Sequence, residues 1–164
     1  VSRLVLIDSL PDHVRERLVS PLMQRALNTS VPAWLARFGA LFVGNRTMEA
    51  VLKEIIYDHT LVTPAVLDRS NRNRQREDMI TPLMSLRDSL PLWEQHFAPR
   101  LKEIRHPTLI LWGEQDRLFP PQVGRDLQTT IPQARLIMIP EAGHIPQWEQ
   151  PQVVNRHITE FLQP

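Results

Sequence analysis

Cysteine is absent from this sequence of 164 residues. A chain without cysteine has no disulfide framework, no thiolate metal site and no cysteine nucleophile. Long apolar runs are absent too, since none approaches the ~18 residues that cross a bilayer, and the first residues lack the pattern of a secretory signal. We therefore expect a cytoplasmic protein without a membrane partner.

An excess of charge is also missing, because 19 lysines and arginines are balanced by 18 aspartates and glutamates, which leaves a net charge of +1. So small a charge creates no long-range field, and nucleic acid is not an expected partner. Hydrophobic residues form 42% and charged residues 23% of the chain, which are ordinary proportions for a globular protein. Charge therefore gives no guide to function.

The order of apolar patterns predicts an α/β fold. An apolar, β-branched run over residues 3–7 predicts a strand buried on both faces of a parallel sheet. After residue 100 the signals alternate, with a strand over 108–112, a helix over 121–130, a strand over 135–139 and a final helix over 152–162. Such alternation is typical of parallel βαβ units.

The stretch between the first two strands has a helical pattern. Thr63-Pro64 and Thr81-Pro82 each place a proline where a first helical turn tolerates it, after a threonine suited to the N-cap. Two apolar stripes recur at helical spacing, the second after a predicted cap at Thr47. Their members are Trp34, Leu35, Phe38, Leu41 and Phe42, then Met48, Val51, Leu52, Ile55 and Ile56.

An acid and a histidine follow the strands predicted over 108–112 and 135–139. Asp116 lies three residues past a glycine, and His144 follows Gly143, which allows a sharp backbone turn. The carboxyl ends of parallel strands meet at one edge of a sheet, so we expect the two side chains to lie close together. A histidine can take and return a proton while a carboxylate orients its ring. The pair is thus two thirds of a Ser-His-Asp triad.

Other interpretations of these residues remain open. Asp116 would also suit a turn before Pro120. Asp8, which ends the first strand, is either a rival acid for the same histidine or a turn residue. A metal site is a poor rival, because no two histidines have i, i+4 spacing and no cysteine is available.

The nucleophile of such a triad is missing from the sequence. No Gly-x-Ser-x-Gly occurs in these residues, and the chain opens directly inside the first predicted strand. We therefore expect the nucleophile to lie upstream of Val1.

With these motifs the chain resembles the C-terminal part of an α/β-hydrolase, in which the triad runs Ser, then Asp or Glu, then His. The resemblance implies the C-terminal half of a parallel sheet, with three strands and an inserted helical cap. The implied domains are a core strand over 1–11, a helical cap or lid over 12–99, and the C-terminal part of the core over 100–164.

A narrower resemblance lies after the histidine. The run Gln147-Trp148-Glu149, followed by Asn155-Arg156, is similar to the meta-cleavage-product hydrolases, which cleave carbon–carbon bonds, and to related esterases. Ile145 departs from that pattern, since those enzymes usually carry tryptophan after the histidine.

The resemblance implies a cofactor-free serine hydrolase that cleaves a small-molecule ester, or a carbon–carbon bond next to the carbonyl of a ketone, with Asp116 and His144 as acid and base. The implied partner is the N-terminal segment of the same hydrolase, with the serine and the oxyanion hole; a homo-oligomer is a further option. Two alternatives stay open: a haloalkane dehalogenase or epoxide hydrolase with an upstream Asp nucleophile, and a non-catalytic hydrolase-like binding protein. The residue at the missing nucleophile elbow discriminates among them.

The resemblance also implies a substrate pocket. Phe119 and Ile145 would line it beside the acid and the base, and the stripe of Trp34, Phe38 and Phe42 would form its roof, although such a stripe is equally typical of plain core. Four arginines in the helical stretch suit a solvated face with ion pairs, or one of them could reach an anionic substrate group. These are Arg69, Arg72, Arg74 and Arg76.

Overall fold

The computed structural model describes residues 2–28, 35, 44–75 and 80–163. Its three strands form one parallel sheet in the order β1 (Leu4–Ile7), β2 (Thr108–Gly113) and β3 (Ala134–Ile139). The prediction of an α/β chain with three parallel strands is confirmed. Because the strands are parallel and in register, the residues that follow them all lie at one edge of the sheet.

Between β1 and β2 the described residues contain helices, turns and loops but no strand, and we call residues 8–107 the helical insertion. The part after β2 contains three further α-helices. In chain order the α-helices are α1 (Val14–Arg17), α2 (Pro21–Asn28), α3 (Asn45–Ile55), α4 (Pro64–Gln75), α5 (Ile80–Leu92), α6 (Pro121–Thr130), α7 (Pro146–Glu149) and α8 (Pro151–Leu162). A 3₁₀ turn spans His59–Leu61, a π-helical turn spans Trp93–Phe97, and a second 3₁₀ segment spans Ala98–Glu103. None of the helices in the described part combines the length and the apolar character that crossing a bilayer requires.

Strand β2 is the centre of the core, and all six of its residues are buried. Its side chains alternate between the two faces of the sheet, as the strand period requires. Leu109 and Leu111 pack with Val154 of α8, whereas Ile110 and Trp112 belong to a second cluster. That second cluster contains Val14, Leu18, Leu90, Phe119, Val123 and Leu127. Helices on both faces therefore hold the edge that carries the candidate site.

Both faces of β1 pack on the core as predicted, since Leu6 contacts one cluster and Val5 and Ile7 contact the other, although its four residues are only half-buried. Among the described residues β1 has a neighbouring strand on one side only. Its other side therefore keeps contact with solvent, whereas β2 is covered on both sides.

Of the three threonine N-caps that the sequence predicted, one is present. Thr63 caps α4 as predicted, since its Oγ1 accepts the N–H of Val66 at 3.4 Å. The predicted cap at Thr47 is wrong, because α3 begins at Asn45 and Gly44 stands at its N-cap in extended backbone. Glycine is tolerated there without a side-chain bond.

The predicted cap at Thr81 is also wrong. The residue lies inside α5, which includes Ile80, so Pro82 still falls in the first described turn.

The predicted final helix is present as α8, and a separate short helix, α7, ends just before it, with Gln150 between the two. Pro151 disfavours helical backbone in the residue before it, and Gln150 has φ −129° and ψ 57°. The short helix α7, which the sequence did not predict, places Glu149 beside the histidine loop.

Candidate active site

The predicted contact between Asp116 and His144 is present at the carboxyl edge of the sheet. His144 Nδ1 lies 2.9 Å from Asp116 Oδ2. The Asp116 side chain is fully buried, whereas that of His144 is 21% exposed. Because a carboxylate only accepts hydrogen bonds, Nδ1 is assigned the proton and donates it. Nε2 is then the nitrogen that can accept a proton from another group.

The second oxygen of Asp116 is held by the turn that follows β2. Oδ1 accepts the N–H of Leu118 at 2.7 Å and that of Phe119 at 3.1 Å. Asp116 is therefore a turn residue and the partner of His144 at once. Three hydrogen bonds fix its orientation, which in turn fixes the imidazole.

Phe119 supports His144 from the side. It is buried, and its ring meets the imidazole edge-on with 5.8 Å between the centroids. Its carbonyl oxygen accepts the indole N–H of Trp112 at 3.3 Å. Ile145 is half-buried and stands at the N-cap of α7. Both predicted pocket residues thus flank His144.

The loop that carries His144 packs closely on the end of α3. The N–H of His144 donates to the carbonyl of Ile55 at 2.7 Å. A Cβ on Gly143 would lie 2.6 Å from that same carbonyl oxygen. The chain bends at His144, directly after Gly143, but no described glycine has a positive φ, so the bend does not depend on a left-handed glycine. Gly143 instead allows two backbones to approach closely.

Asp8 lies beside the pair without bonding to the histidine. Its backbone has φ 36°, a left-handed conformation that aspartate tolerates better than most residues. Oδ1 accepts the N–H of Gly113 at 3.0 Å, and Oδ2 is buried with no partner in the described part of the chain. Burial, with the charges of Asp116 and Glu149 adding to it, raises the pKa of Asp8 to about 8 against the opposing effect of the Gly113 N–H. Asp8 is therefore expected to hold a proton at neutral pH.

Three residues of the site have the side-chain types and the spacing that a cation needs. Asp8, Asp116 and His144 each offer a ligand atom, and these atoms lie within 4.8 Å of one another. A cation bound through Nδ1 would have to break the hydrogen bond to Asp116 and displace the proton of Asp8. The existing bonds favour an acid–base pair.

Several predicted residues fall elsewhere. Trp34, Phe38 and Phe42 lie outside the described residues, as does Arg76 with the side chain of Arg74. Arg69 and Arg72 are exposed on α4.

Glu149 is a site residue whose role sequence reasoning missed. Its Oε1 accepts the N–H of Gly143 at 2.8 Å, and its Oε2 accepts the N–H groups of Tyr57 at 2.6 Å and Asp58 at 3.1 Å. The carboxylate therefore bridges the histidine loop and the helical insertion. The one signal for this role in the sequence was the position of Glu149 in the run that follows His144. That run does not show which backbone groups the carboxylate contacts.

Comparison with known proteins agrees with this architecture. The sequence model of the alpha/beta hydrolase fold family matches residues 1–151. A 2-hydroxy-6-oxononadienedioate/2-hydroxy-6-oxononatrienedioate hydrolase from Comamonas testosteroni is 32% identical over 117 residues, which are 71% of this chain and 41% of that protein. The chain therefore belongs to the alpha/beta hydrolase fold family, and it is related to the meta-cleavage product hydrolases.

Solved structures agree on the fold. A meta-cleavage product hydrolase from Pseudomonas fluorescens superposes with a TM-score of 0.64 at 21% identity, over 98% of this chain and 55% of that one. A thermophilic esterase from Thermogutta terrifontis gives a TM-score of 0.60 at 25% identity, over 98% of this chain and 55% of its own. The chain thus spans about half the length of the proteins that it resembles.

Proposed function

We propose that this chain supplies the acid and the base of a serine hydrolase. The observation that carries the proposal is the 2.9 Å contact between His144 Nδ1 and the buried carboxylate of Asp116. In that geometry Nε2 takes the proton of the attacking serine and later returns it to the leaving group. Asp116 keeps the ring in this tautomer and stabilises the imidazolium that forms.

The serine and the oxyanion donors come, in this proposal, from a segment outside these 164 residues. The relatives are longer than this chain, which spans 41% of the Comamonas protein. In the triad order of this fold the nucleophile precedes the acid and the histidine. No cofactor is required, because serine, histidine and aspartate complete the acyl transfer to water.

We propose a small-molecule substrate with an ester, or with a carbon–carbon bond next to a carbonyl group. The relatives named as 2-hydroxy-6-oxo-acid hydrolases and as an esterase support this class. The part of the helical insertion over residues 12–99 is the proposed lid over the site. Phe119 and Ile145 flank His144 and would form the wall of the pocket, under the stripe of Trp34, Phe38 and Phe42.

The test replaces two histidines in the complete protein that carries this chain. His144→Ala should lower the hydrolysis of p-nitrophenyl esters about a thousandfold or more, because the general base is lost. His157→Ala is the matched control, since that residue lies on α8 and its Nδ1 is 3.5 Å from Glu160. Equal activity in the two variants would remove His144 from the mechanism.

A further inference from the structure

The end of α3 is fastened to the histidine loop by four hydrogen bonds. One is direct, from the N–H of His144 to the carbonyl of Ile55. The other three pass through Glu149, which accepts from Gly143 on one side and from Tyr57 and Asp58 on the other. The two segments lie more than 80 positions apart in the chain, so this contact joins the helical insertion to the sheet edge.

A glutamate carboxylate suits this bridge because its two oxygens can accept on opposite sides. Hydrogen bonds from N–H groups to a charged carboxylate are among the strong ones in proteins. Glutamine would keep one acceptor oxygen and place an N–H₂ group against backbone donors. The bridge therefore needs both the charge and the second oxygen.

Further contacts hold both ends of the bridge in place. On the insertion side Ile56 is 1% exposed and its N–H still bonds to Leu52 at 3.0 Å. Asp58 is held by its own side chain, whose Oδ1 accepts the N–H of Thr60 at 2.9 Å. On the loop side Gly143 touches the same backbone, where even a methyl group would not fit.

We propose that Glu149 is a positioning residue that locks the helical insertion onto the His144 loop, so that the lid and the base hold one relative position. The link itself rests on contacts alone, whereas its effect on turnover rests on the function proposed above. Glu149 would thus make the orientation of His144 depend on where the insertion sits.

Hydrogen–deuterium exchange in the complete protein tests the link without any substrate. Glu149→Gln should speed exchange about tenfold or more in peptides that cover residues 55–58 and 142–144, because these amides lose a charged acceptor. Glu160→Gln is the control, since Glu160 is 61% exposed on α8. Glu149→Ala should have a larger effect, and if that variant fails to fold the glutamine variant alone decides. Unchanged exchange in either segment of Glu149→Gln would overturn the proposal.

Kinetics then test the positioning role. Glu149→Gln should lower kcat about tenfold or more, with a smaller change in KM, because a misplaced base costs turnover rather than binding. An unchanged kcat in a protein whose exchange does respond would overturn the positioning role. If the wild-type protein hydrolyses nothing, the proposed function fails, and the exchange experiment still decides whether the link exists.

Discussion

Replacement of Asp8 by asparagine should stabilise the folded protein at about pH 8 and should have little effect near pH 4. Asp8 is 8% exposed as a whole residue, and its Oδ2 has no partner among the described residues. Its pKa rises from 3.8 to about 8, first through burial and then through the nearby charge of Asp116. Asparagine imitates the protonated form, because it keeps an acceptor for the N–H of Gly113 and carries no charge. It also tolerates the left-handed backbone at this position.

The direction in which stability changes with pH follows from proton binding. Between about pH 4 and about pH 8 the folded protein holds a proton on Asp8 that the unfolded chain releases. The free energy of unfolding therefore falls as the pH rises through that window. Each unit of pKa difference corresponds to about 1.4 kcal/mol, so the total loss has an upper limit on the order of 6 kcal/mol. The asparagine variant should not lose this stability, because its side chain does not ionise.

Urea unfolding of the complete protein at about pH 5 and about pH 8 measures the effect. The wild type should lose more stability between the two pH values than Asp8→Asn does. Asp88→Asn is the control, since Asp88 is 64% exposed on α5 and should keep the wild-type dependence. An identical dependence in Asp8→Asn and the wild type would show that Asp8 is ionised in the folded protein, against our reasoning.

Two further predictions concern the acid and the open edge of the sheet. Asp116→Asn should lower turnover about ten-thousandfold by favouring the wrong histidine tautomer, and Asp8→Asn should keep most of it. A larger loss in Asp8→Asn would make Asp8 the acid. The chain of 164 residues, prepared alone, should associate with itself, because β1 presents an apolar edge with no described strand beside it. Size-exclusion chromatography with light scattering checks this, and a stable monomer with a cooperative melt would contradict it.

Local patterns predicted the parts of the fold that depend on neighbours in sequence. The apolar run of β2 and the proline that opens α6 place those elements within one residue of their observed bounds. The contact between Asp116 and His144 was predictable as well, because both residues follow parallel strands that end at one edge. The domain boundaries and the lid remain predictions.

Other features depend on how distant segments pack, and a single sequence does not encode such contacts in a visible pattern. Glu149 bonds to Tyr57 across 92 positions, so its role appears only when the helical insertion is folded onto the loop. The raised pKa of Asp8 comes from burial and from charges that meet it in space. Gly143 suggested a sharp turn, but close contact with Ile55 is what excludes a side chain there.

Labelling with a fluorophosphonate tests the central claim most directly, because the reagent attaches to a serine only when a base activates it. In the complete protein we predict one labelled serine, located by mass spectrometry outside residues 1–164, with labelling about a thousandfold slower in His144→Ala. His157→Ala should label at the wild-type rate. A labelled serine within these residues, or equal labelling in His144→Ala and the wild type, would contradict the account.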